Sequence, residues 1–429
     1  MPTNLTKRQL IIIGGIGALV VVVVAAIFLN LRPKPNNAAA VKLTVWGTED
    51  EKVVGSLMSA YPYATVKYVH VDQANYESQL LSALAAGAGP DVFEIGDHDL
   101  MKWRGVLAPL PTSSIQFSPL QLSQYFPDVV TQDFVLDGGI YGVPLSIDTL
   151  AMIYNKDLFN AAQIAVPPAT WTQFDNNIAS LRALNAQGQL TRAAAAIGGS
   201  RASVPNAADI ISLLMLQNGT NMLNDNGTTA SFASAVDGGK GPAAFNFYLQ
   251  FANAASPYYT WSDGMGDALT NFIAGKTAII FGYAADLATI KAKAPFLNIG
   301  VAAMPQADGA TVAVNYPRYQ GFVVAKASPQ QAAAWGFILY LTVSSGDGKA
   351  YQAATGLPPA LRTDIGAYRD DPVLSVYSSQ ILTAKSWREP DDAKVAAAFD
   401  AAIKNVLTGA EDPSRALSEA ETAVSQMIK

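Results

Sequence analysis

The sequence predicts an α/β protein, and three observations predict it. Between residues 42 and 95, short alternating apolar segments take turns with amphipathic ones in the order β-α-β-α-β, which builds a parallel sheet with right-handed crossovers. Residues 139–159 place two apolar runs on either side of a polar spot, Ser146-Ile147-Asp148, where the chain can cross between two bodies. The chain has 429 residues, 50% of them hydrophobic and 14% charged, which gives ample core and suggests two or three domains.

Each element follows from its local pattern. Residues 42–47 (KLTVWG) alternate as a strand, and 50–61 place Val53, Val54, Leu57, Met58 and Tyr61 on one helical face. Residues 64–71 alternate again. Asp72 can cap a helix whose Leu80, Leu81 and Leu84 face inward and which Gly87 and Gly89-Pro90 end. Residues 91–95 give a third strand. Tyr141, Val143 and Leu145 alternate as a strand with one buried face, and Pro144 makes it an edge or interrupts it. Thr170 with Gln173 forms a capping box for a helix over 173–187. Helices are expected over 208–217, 241–254 and 267–274, with a strand at 277–281. Residues 317–325 give another strand. Ser328-Pro329-Gln330-Gln331 reads as a second capping box, opening a helix over 332–341. Two helices, 392–407 and 413–427, close the chain.

Composition excludes several functions. The net charge is −6 and no basic block lies outside the N-terminus, so no nucleic-acid partner is expected. The chain has no cysteine, which removes disulfides, thiolate metal sites and cysteine nucleophiles. With only His70 and His98, no metal site and no cofactor is expected. No phosphate-binding loop and no nucleophile elbow occurs. At the N-terminus, Lys7 and Arg8 precede residues 10–29, an uncharged apolar run long enough to span a bilayer. A retained anchor is favoured over cleavage, for which Ala38-Ala39-Ala40 is the candidate site, and residues 30–40 read as a linker.

In parallel sheets a ligand lies beyond the carboxyl ends of the strands. Those ends put forward Trp46, Glu49, Gln73, Asp97 and His98, and the crossing adds Asp148. Sugars present apolar C–H faces and many hydroxyls, so aromatic rings beside planar polar groups suit them. Tyr283, Tyr316, Tyr319 and Trp387 stand near strand ends or loops, with Arg318 and Arg388 beside them, although partial core packing serves such rings equally well. Trp171 and Trp335 sit on helix faces and are expected in the core.

The crossing stretch is specific. Tyr141-Gly142-Val143-Pro144, then Tyr154-Asn155-Lys156-Asp157-Leu158-Phe159, then Pro168-Ala169-Thr170-Trp171 resembles the family 1 extracellular solute-binding proteins of ABC importers, the maltose-binding-protein-like group. Pro90-Asp91-Val92, Gly275-Lys276-Thr277-Ala278 and Thr355-Gly356-Leu357-Pro358-Pro359 are similar to further elements of that family. The resemblance implies a two-lobe periplasmic-binding-protein-like fold of type II, with three crossings. Lobe one is then expected at 41–147 plus 283–343, and lobe two at 148–282 plus 344–429. It also implies the orientation, with residues 1–9 inside the cell and the lobes outside, so that the apolar run 10–29 is expected as a transmembrane signal anchor in the cytoplasmic membrane. The implied activity is capture of a carbohydrate by hinge closure for delivery to permease subunits, without enzymatic chemistry. A solute sensor without transport and a glycoside hydrolase using Glu94 and Asp97 are the alternatives.

Overall fold

The structure, a computed structural model, describes residues 41–235, 238–344 and 346–428. The expected anchor at 10–29 and linker at 30–40 lie outside the described residues. Among the described residues no helix is long and apolar enough to cross a membrane.

The first half of the chain builds one sheet. Strand β1 (Lys42–Gly47) buries Leu43 and Val45 on alternate positions. Helix α1 (Glu51–Ser59) begins where the Asp50 carboxylate accepts from Lys52 N, and it buries Val54 and Met58, one turn apart. Strand β2 (Thr65–His70) and β3 (Val92–Gly96) flank β1 in parallel, joined by α2 (Gln73–Ala85), which buries Tyr76 and Leu80. Asp72 precedes α2 without a side-chain cap bond. Strand β4 (Leu107–Ala108), helix α3 (Asp128–Phe134) and β5 (Gly142–Pro144) complete this stretch. β5 has a single strand neighbour among the described residues, the edge position in which a proline such as Pro144 is tolerated.

The chain then crosses. β6 (Asp148–Thr149) leads to β7 (Ala151–Asn155), the start of a second sheet. Helix α4 (Trp171–Leu181) opens with Thr170 Oγ1 accepting from Gln173 N, while Gln173 Oε1 accepts from Ala169 N, one residue before the cap. This helix stops at Leu181, short of the expected 187, because β8 (Ala183–Leu184) pairs with β9 (Leu190–Ala195). Helix α5 (Ala207–Gln217), β10 (Thr277–Gly282), helix α6 (Ala284–Lys293) and β11 (Ile299–Ala302) follow. The second sheet runs β8-β9-β10-β7-β11.

The return strand β12 (Pro317–Arg318) pairs antiparallel with β6, making a two-stranded ribbon. β13 (Gln320–Ala325) then enters the first sheet, whose order is β2-β1-β3-β13-β4, with β5 also on β13. Helix α7 (Gln331–Leu339) starts within one residue of the expected 332, but Ser328 does not cap it. Ser328 Oγ is turned away to donate to Asp91 Oδ1 at 2.6 Å, and it accepts from Gln330 N at 3.0 Å. Helix α8 (Asp347–Thr355) ends at Gly356, whose φ of +75° is the left-handed position that favours glycine. Helix α9 (Leu374–Ile381) precedes a last crossing, and α10 (Asp392–Leu407) and α11 (Pro413–Met427) pack together on the second body.

Two cores result. One gathers Phe93, Val323 and Trp335 and also Tyr351, Ala360 and Ile365; the other gathers Ile153, Phe174, Phe281, Trp387 and Phe399. Two segments therefore sit differently from the expected boundaries. After Gly282-Tyr283 the chain does not leave the second sheet: α6 returns it as β11 beside β7, so residues 284–302 of the expected lobe-one segment 283–343 join the second body. Nor does it cross at 342–346, since the apolar faces of α8 and of residues 357–365 are covered by the first core. The second and third crossings fall at 314–320 and 382–391, where Asn315 bridges to Ala384.

Candidate ligand-binding cleft

A cavity of about 800 Å³ opens where the two sheets face each other. From the first body it is lined by Glu49, Gln73 and Asp97, at the strand and helix ends that the parallel-sheet rule singles out, and by Tyr76, Glu94, Trp103 and Tyr351. From the second it is lined by Asp148, Arg201, Asn206, Tyr283 and Asp286. Arg318, Tyr319 and Gln320 form part of the lining at the return crossing, and Asp392 adds the start of α10.

The acidic groups are held by a tyrosine hydroxyl and by backbone N–H groups. Glu49 Oε1 accepts from Tyr351 OH at 2.9 Å, and Glu94 Oε2 accepts from Thr48 N at 3.3 Å. A side chain on Gly47 would meet Glu94 Oε2 at 2.5 Å and Tyr68 OH at 2.6 Å, so glycine there makes room for the carboxylate. Burial, with the Glu49 charge adding, pushes Glu94 up to about 8. Asp148 accepts from Thr149 N at 2.8 Å and from Ala285 N at 3.2 Å, which ties the ribbon to the start of α6. Burial still raises it to about 7, because these backbone donors offset only part of the desolvation.

Arg318 organises the junction beneath. Its guanidinium meets Asp209 of α5 through two bonds, 2.7 and 3.1 Å, and Asp392 of α10 at 3.1 Å. Tyr283 OH donates to the same Asp209 at 2.7 Å. Burial would push Asp392 up, but Arg318 and His98 outweigh it and hold it well below the usual carboxylate range. Tyr319 OH donates to Asp133 at 2.6 Å, and Ser386 Oγ donates to the other oxygen of that carboxylate.

Five sequence candidates stand elsewhere. Trp46 is half-buried against the first core and does not line the cleft, because successive side chains of β1 point to opposite faces. His98 is 3% exposed, behind the Asp97 that faces the cleft. Tyr316 is buried with its hydroxyl on Glu389 at 2.8 Å, and its ring lies 5.0 Å from that of His98. Trp387 is core: its ring packs on Phe232 and its indole N–H faces Ser212 Oγ at 3.4 Å. Arg388 points away and donates to the carbonyls of Gln132 and Val135. Trp171 and Trp335 are core, as their helical positions indicated. The sequence reading missed Tyr76, Arg201, Tyr351 and Asp392 as lining groups. Only Asp392 carried a signal, as an acidic residue opening a helix.

The architecture is a mixed α/β fold with a polar cleft lined from both bodies. Residues 44–347 match the family described as bacterial extracellular solute-binding protein, and the chain belongs to that family. A binding protein of Brucella abortus (strain 2308) is 26% identical over 279 residues, 63% of this chain and 64% of the relative, so the match spans less than two thirds of that relative's length. Among solved structures, the sugar-binding protein MalE from Xanthomonas citri is 20% identical with a TM-score of 0.74, over 90% of this chain and 97% of that one. The cyclic alpha-maltosyl-1,6-maltose binding protein from Arthrobacter globiformis is 17% identical with a TM-score of 0.74, over 91% of this chain and 100% of that one. At these identities the likeness is one of fold. The family is one of solute-binding proteins, not enzymes, so the hydrolase alternative built on Glu94 and Asp97 falls away.

Proposed function

We propose that this chain captures a carbohydrate outside the cell and hands it to the permease subunits of an ABC-type importer. The observation that carries this reading is the cleft itself. Its volume of about 800 Å³ lies within the range of small-molecule sites, and its polar side chains come from both bodies. Carboxylates such as Glu49 and Asp97 can accept from sugar hydroxyls, Gln73 and Asn206 can both donate and accept, and the rings of Trp103 and Tyr283 offer apolar faces.

The two bodies are lobes, hinged at the β6–β12 ribbon and at residues 382–391. Ligand contacts on both lobes stabilise the closed arrangement, and the short ribbon absorbs the rotation. The apolar run 10–29 tethers the protein to the cytoplasmic membrane with its lobes outside. Sugar-binding neighbours of the same fold support the ligand class.

A thermal-shift screen of the full chain with mono- and oligosaccharides, polyols and anions tests the reading. A sugar at a hundredfold excess over its Kd adds about 2.7 kcal/mol of stability. Stabilisation by anions alone, with none by any sugar, contradicts it.

A further inference from the structure

Behind the cleft floor lies a group of side chains that solute capture does not use. His98 comes from the loop after β3, Glu389 from the last crossing and Asp392 from the first turn of α10. Each can turn one ligand atom into the same spot, and the three atoms lie within 4.8 Å of one another. His98 Nδ1 is 3.8 Å from Glu389 Oε1 and 3.9 Å from Asp392 Oδ1. Both separations exceed a hydrogen bond.

A second, independent observation concerns the imidazole. The His98 side chain is 1% exposed, yet neither ring nitrogen makes a hydrogen bond. A buried polar atom left so is costly and calls for a partner.

The geometry points to a divalent-cation site of the zinc type, with His98 Nδ1, Glu389 and Asp392 as protein ligands and a water in the fourth position. One imidazole and two carboxylates form a donor set that zinc takes up. Tetrahedral bonds of about 2.0–2.2 Å place donor atoms about 3.3–3.6 Å apart, so each carboxylate closes on His98 Nδ1 by a few tenths of an ångström and, within the 4.8 Å that bounds all three atoms, the two carboxylates close on each other by up to about 1.5 Å. The outer contacts surround the three groups. Asp97 Oδ2 lies 3.3 Å from His98 Nε2, on the side of the ring away from Nδ1. Tyr316 OH orients Glu389 at 2.8 Å, and Arg318 orients Asp392 at 3.1 Å. Asp392 also lines the cleft, which gives an ion a way in. Bound there, the ion staples the first body, through His98, to the start of α10 on the second. It stiffens the third crossing without touching the solute.

The test uses the full chain, stripped with a chelator and titrated with Zn²⁺ alone. The expected result is one Zn²⁺ per chain with micromolar or tighter affinity and a rise in Tm of several degrees. His98→Gln and Glu389→Gln lose both, and His70→Gln, at an exposed histidine, keeps both. Should the buried variants fail to fold, anomalous scattering at the zinc edge from wild-type crystals decides, with the peak expected between His98, Glu389 and Asp392. No stoichiometric binding to the wild type, binding lost with His70 instead, or an ordered water with no anomalous signal between His98, Glu389 and Asp392 overturns the site.

Discussion

Glu94 carries the clearest pH consequence of any single residue. Its folded pKa of about 8 lies above the ordinary carboxylate value of 4.5, so folding takes up a proton between those limits. The neutral form is the one the fold favours. The contribution of Glu94 is therefore fully present below pH 4.5 and is lost as pH rises towards 8. Glu94→Gln, which cannot ionise, is expected to flatten this slope. Urea denaturation at pH 5 and pH 8 measures it: the loss of stability between the two shrinks by at least about 1 kcal/mol, the worth of one pKa unit. An unchanged slope shows that Glu94 ionises freely. The tryptophans give a second test. Trp387→Ala is expected to cost about 3–5 kcal/mol of stability, as Trp335→Ala does, while the folded remainder keeps its affinity for solute. Strand ends exposed Glu49, Gln73 and Asp97 to sequence reasoning, because the rule that places them is local. Trp387 deceived it, because whether a loop ring faces cleft or core depends on Phe232 and Ser212, more than 150 residues away in the chain.

Elements were legible where a cap or a period defined them. The two closing helices carry amphipathic periodicity, and acidic caps at Asp391 and Asp412 stand at their starts. Ser328 shows the opposite case. It has the sequence of a helix cap, yet its hydroxyl serves the Asp91 carboxylate, which also accepts from Thr44 N at 2.9 Å. Ser328→Ala and Asp91→Asn are therefore expected to be non-additive, with a coupling of about 0.5–3 kcal/mol in a double-mutant cycle. Additive losses would return Ser328 to a purely local role. Thr170→Ala, a true cap, is expected to cost about 1 kcal/mol by itself. Strand β11 was hidden for a different reason. Four residues after a lysine-bearing helix give too short a period to read, and only pairing with β7 makes them a strand.

At the scale of the molecule, the order of β-α-β units and the crossing motif made the α/β class and the family readable. The route of the later crossings was not, because it depends on which core covers each helix. Residues 284–302 and 347–365 carry apolar faces that would satisfy either body. What the account rests on is that the two bodies are lobes that close on a solute. Small-angle X-ray scattering of the full chain, with and without a sugar that raises its Tm, tests this most directly. The account predicts a smaller radius of gyration with the sugar bound and no change with a sugar that gives no thermal shift. A bound, stabilising sugar that leaves the radius of gyration unchanged would contradict it.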